Sequence, residues 1–127
     1  LISKLNYLKV NFWWLWLCFV FVVSVIPSQE TETSSWLSNF QLDKLFHLLS
    51  HAIAIFSALL ALTTKQAIKK RNIIITFSVI SMIIFGCFIE WVQGNYVIGR
   101  MFDLMDIAAN TAGDLLGLLL FFYFDKV

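Results

Sequence analysis

The stretch Arg100-Met-Phe-Asp103-Leu-Met-Asp106-Ile-Ala-Ala-Asn110-Thr-Ala-Gly113-Asp114-Leu-Leu-Gly117 runs directly into Leu118-Leu-Leu-Phe-Phe-Tyr-Phe124. At about 100° per residue, Asp103, Asp106, Asn110, Gly113 and Gly117 share one sector of a helix, with Asp114 close beside it. The other faces are apolar. An acid at the centre of a bilayer costs about 2.5 kcal/mol or more, so it normally faces a partner or a polar cavity. The stretch therefore predicts a membrane-spanning helix whose polar stripe turns toward other helices.

The rest of the chain agrees. Of its 127 residues 60% are hydrophobic and 13% charged, about half the charged fraction of an ordinary soluble domain. An integral membrane protein follows, and four spans of about 20 residues use nearly the whole length as one domain, residues 1–127. The net charge of +1 gives no basis for a nucleic-acid partner, and the lipid bilayer is the expected one. Cys18 and Cys87 lie in apolar runs and read as small buried hydrophobes.

The expected spans are about residues 10–26, 45–62, 73–92 and 103–124, an all-α bundle of four transmembrane helices. The first follows Lys4 and Lys9 and has the charge pattern of a signal peptide. It lacks a small-x-small pair near Pro27, while Trp13, Trp14 and Trp16 suit an interfacial belt, so it reads as a retained helix. Pro27 to Leu42 reads as a polar loop, and Thr64 to Asn72 as a short loop holding Lys65, Lys69, Lys70 and Arg71. The positive-inside rule places that loop and both termini in the cytoplasm. Asp43, Lys44, His47, Glu90, Gln93, Arg100, Asp103 and Asp106 then all fall at the opposite, extracytoplasmic end, with Asn110 one turn deeper. They are the candidate ligand-binding residues.

Within that set, Asp43 and His47 are an i, i+4 pair on the second span, as are His47 and His51. A carboxylate partner would fix the tautomer of His47 and suit it to acid/base work. His47, Asp103 and Asp106 are therefore the catalytic candidates. Arg100 is expected to pair with Glu90 across the hairpin. Asp103 and Asp106 also suit the positive end of the last helix dipole. Gly86 would admit a neighbouring helix beneath Glu90, and Gly113 with Gly117 forms a small-xxx-small packing pair. No cofactor and no metal are expected: the chain has no Gly-rich phosphate loop, serine elbow, Cys-x-x-Cys or paired-histidine zinc spacing.

Three blocks in this order resemble the VanZ-like family of small bacterial membrane proteins: Asp43-Lys44-x-x-His47, Glu90-x-x-Gln93, and Arg100-x-x-Asp103-x-x-Asp106-x-x-x-Asn110-x-x-Gly113-x-x-x-Gly117. The Ser24-x-x-Pro27-Ser28 exit from the first span fits as well, and the likeness covers roughly Ser24 to Leu120. Asp114 stands outside the pattern. The resemblance implies a protein of the bacterial cytoplasmic membrane, with some relatives linked to resistance to glycopeptide antibiotics such as teicoplanin.

Three functions compete. The first is a non-enzymatic envelope protein whose polar end binds a lipid-linked precursor, a glycolipid or a partner. The second is an enzyme acting on a lipid head group, with His47 as general acid/base. The third, ion or proton passage through Asp114, needs a polar path to the other side. Ser57, Thr63, Ser78 and Ser81 supply little of one. Nothing in the sequence specifies an oligomeric state.

Overall fold

The computed structural model describes residues 4–27, 36–63 and 69–125, with side chains from Leu42 onward in the second segment. Ser28, Gln29, Glu30, Glu32, Lys65 and Lys126 lie outside the described residues. Four helices make the fold: α1 Lys4–Ser24, α2 Trp36–Leu62, α3 Arg71–Tyr96 and α4 Leu104–Phe124. Each is long and apolar enough to cross a membrane, and the chain is a multi-pass membrane protein.

The expected elements are all present, with the ends of three of them shifted. α1 runs from Lys4 to Ser24 instead of about 10–26, starting six residues earlier. α2 begins at Trp36, so the part of the expected loop from Trp36 to Leu42 is helical. The stretch Trp36-Leu-Ser-Asn-Phe-Gln41 has no proline or glycine to stop a helix that leaves the apolar zone. α3 likewise runs on to Tyr96. The turn into α4 is made by Gly99, whose φ of 77° is one that L side chains rarely adopt.

The helices alternate in direction. The Trp16 indole donates to the Ser50 carbonyl at 3.0 Å, and Gln93 donates to the Ser24 carbonyl at 2.8 Å. Phe21 stacks on Phe88. The end of α1, the start of α2, the end of α3 and the start of α4 thus share one end of the bundle. Arg71 and Asp125 close the other end at 2.5 Å.

α2 and α4 therefore run parallel, and they pack most closely. A Cβ on Gly113 would overlap the Leu48 carbonyl oxygen, and one on Gly117 would overlap Ile55 and the Ala52 carbonyl. The small-xxx-small pair is the seat on which the α2 backbone rests. Over its span α2 is 56% buried, against 11% for α1, which marks α2 as the central helix. Beside it Ala54, Ile55, Leu59, Met82 and Phe121 form the apolar core. The large side chains point outward: Ile73, Phe77, Leu119 and Ile84 are all mostly exposed, as fits helices bathed in hydrocarbon. Cys18 and Cys87 are free and lie on these outer faces rather than buried. In a membrane protein both the inside and the outside are apolar, so an apolar run does not report burial.

Candidate functional site

At the shared end, side chains from α2, α3, the α3–α4 turn and α4 converge. Asp103 is the N-cap of α4 and the hub. Its Oδ1 accepts from the Met105 amide at 2.8 Å and its Oδ2 from Lys44 Nζ at 2.8 Å, while its own amide donates to Glu90 Oε2 at 3.2 Å. One residue thus caps its own helix and ties it to both neighbours. Lys44 also donates to Asp106 Oδ1 at 2.6 Å.

The hydrogen bond from Lys44 holds the Asp103 carboxyl below its usual value of 3.8. A depressed carboxyl contributes stability above its unfolded pKa and loses it as pH falls through the lower folded value. Acidification from pH 5 to below 3.8 should therefore destabilise the bundle, and Asp103→Asn should flatten the response in that window. Asp103→Ala, which also deletes the cap, should cost about 1 kcal/mol. Thermal melts in detergent across pH would measure both; an unaltered acid response in Asp103→Asn would refute the assignment.

Arg100 does not pair with Glu90. Its Nη1 donates to both oxygens of Asp43, at 3.0 and 3.2 Å. Asp43 is thereby committed to Arg100, and the expected Asp43–His47 pairing is replaced. His47 Nδ1 instead lies 3.0 Å from Asn110 Oδ1, across to α4. Its Nε2 faces Glu90 Oε1 and Asp106 Oδ2, each at 3.8 Å. Glu90 is fully buried, and its Oε1 has no hydrogen-bond partner among the described residues.

Every candidate residue is accounted for. Asp43, Lys44, His47, Glu90, Arg100, Asp103, Asp106 and Asn110 form one connected cluster. Gln93 lies at the same end but is turned away, spent on the Ser24 carbonyl, where it fastens α1 to α3. Gly86 sits beneath the cluster: a Cβ there would lie 3.0 Å from His51 Cε1 and 3.1 Å from Asn110 Nδ2.

One pair was not foreseen. His51 Nδ1 meets Asp114 Oδ1 at 3.0 Å, one helical turn deeper, and both residues are buried. The deep acid has a local partner, and that is a structural reason for its presence. The signal was in the numbering. His47 with Asn110 and His51 with Asp114 are both 63 residues apart, the repeated offset that two parallel helices in register produce.

No family model, curated protein or solved structure matches the chain. The VanZ-like resemblance rests on its three sequence blocks.

Proposed function

We propose that the chain is a VanZ-like protein of the bacterial cytoplasmic membrane, with both termini cytoplasmic. Its clustered polar end binds the head of an envelope lipid, a lipid-linked precursor or a glycolipid, and so contributes to glycopeptide resistance. The carrying observation is that polar groups from three helices meet at one membrane end, with Glu90 Oε1 unpartnered among the described residues and aimed inward. Polar bonds between membrane helices contribute about 0.6 kcal/mol each on average. That is a poor return for gathering four carboxylates and two cations, and it supports a working site. Both cations are already engaged by carboxylates, so a hydroxyl-rich head suits the cluster better than a bare anion.

A second reading, a head-group enzyme with His47 as acid/base, is favoured by the hold of Asn110 on Nδ1, which aims the opposite nitrogen into the cluster. Teicoplanin susceptibility of a sensitive host tests the first reading. The parent should protect, and His47→Ala at equal membrane level should not. Protection by neither would remove the resistance role. Retained ligand binding with lost turnover in His47→Ala would favour the enzyme.

A further inference from the structure

The Asn110 oxygen accepts at His47 Nδ1, so that nitrogen carries the proton of the neutral imidazole. Nε2 then presents a lone pair. Opposite it, at 3.8 Å, stand Glu90 Oε1 and Asp106 Oδ2. His47 Nε2 thus faces a carboxylate oxygen on each of two other helices, at distances too long for hydrogen bonds. The other polar atoms of these side chains are committed. Glu90 Oε2 holds the Asp103 amide, Asp106 Oδ1 holds Lys44, and His47 Nδ1 holds Asn110. An Asp43 oxygen lies within 4.8 Å of the His47 and Asp106 donor atoms. A metal-binding histidine usually has its second nitrogen fixed by an acceptor in this manner.

We propose that His47 Nε2, Glu90 Oε1 and Asp106 Oδ2 bind one divalent metal ion of the zinc or manganese class. One imidazole with two carboxylates is a donor set for such ions. A tetrahedral ion with bonds of about 2.0–2.2 Å places its ligand atoms about 3.3–3.6 Å apart. His47 Nε2 stands 3.8 Å from each of the two carboxylate oxygens, a few tenths of an ångström beyond that spacing. Three protein ligands leave one position open toward the bundle end, where an oxygen of a bound head group would enter. The ion would also offset the excess of carboxylates over Lys44 and Arg100. No metal spacing shows in the sequence because the three ligands come from three different helices. The inference rests on the cluster being a ligand site, and not on which envelope ligand it serves.

The test uses the full chain purified in detergent, stripped with chelator, in a Cys18→Ser/Cys87→Ser background that removes competing exposed thiols. Calorimetry with Zn²⁺ should show one saturable equivalent. Glu90→Gln and Asp106→Asn, which nearly keep shape, should each weaken it at least tenfold. Asn110→Ala, which frees the imidazole, should weaken it by about 10–100-fold. Co²⁺ should give the visible absorption of a four-coordinate site, and His47→Ala should lose it. Circular dichroism checks the helix content of each variant; should His47→Ala unfold, the two near-isosteric variants decide. The proposal is overturned if the parent binds no Zn²⁺ saturably, or if both near-isosteric variants bind within threefold of the parent. Metal binding without teicoplanin protection would leave this site standing and remove the resistance role. Protection without metal binding would do the reverse.

Discussion

Gly117→Val should lower the stability of the bundle by about 3 kcal/mol or more, the upper part of the range for overpacking. The added carbons enter space filled by the Ala52 carbonyl and the Ile55 side chain. A carbonyl belonging to a helix backbone cannot rotate aside, so α2 and α4 must separate. Separation strips the close packing that holds membrane helices together, since lipid offers no hydrophobic gain from their association. Gly113→Ala meets the Leu48 carbonyl and should behave alike with a smaller loss. Leu119→Ala, on the lipid-facing side of the same helix, should change stability by less than about 0.5 kcal/mol. Thermal unfolding in one detergent compares the three. Equal melting temperatures for Gly117→Val and Leu119→Ala would show that α2 and α4 do not meet at this seat.

The second large effect is expected at the deeper pair. His51→Leu leaves the Asp114 carboxylate without its partner at 2% exposure. Removing one member of a buried polar pair costs about 3–5 kcal/mol, much of it the penalty of the group left behind. The double variant His51→Leu/Asp114→Ala keeps a similar combined volume and leaves no orphaned acid. It should recover most of the loss, because replacing both partners by apolar groups is often near neutral. A double-mutant cycle on melting temperature measures the coupling. Additive losses, with the double variant the worst of the three, would mean that the pair does not act as a unit.

The spans were legible because each apolar run is long enough to cross a bilayer, and the polar end because charge asymmetry brought the conspicuous residues of three spans together. What escaped was partner choice. Arg100 is close to Glu90 along the chain, yet it reaches Asp43 on another helix, since a hairpin sets which residues are near in sequence and not which packing is closest. The α2–α4 contact is the closest in the bundle although α3 intervenes between them. Only the shared offset of 63 residues, taken with the parallel direction of the second and fourth spans, carried it. Gln93 looked like its neighbour Glu90, but it lies nearly one turn further along α3, where the end of α1 presents an open carbonyl. The extension of α2 to Trp36 was hidden because a polar helical turn and a loop can share one composition.

The parallel α2–α4 seat also has a consequence for synthesis. His47 and His51 leave the ribosome 63 residues ahead of Asn110 and Asp114. At roughly 5–20 residues per second that is about 3 to 13 s. During this interval the most polar half of α2 has been made and its partner has not. The central helix is thus the one least able to stand alone in lipid. A nascent chain halted before α4 should hold α2 beside the insertion machinery, and completion of α4 should release it.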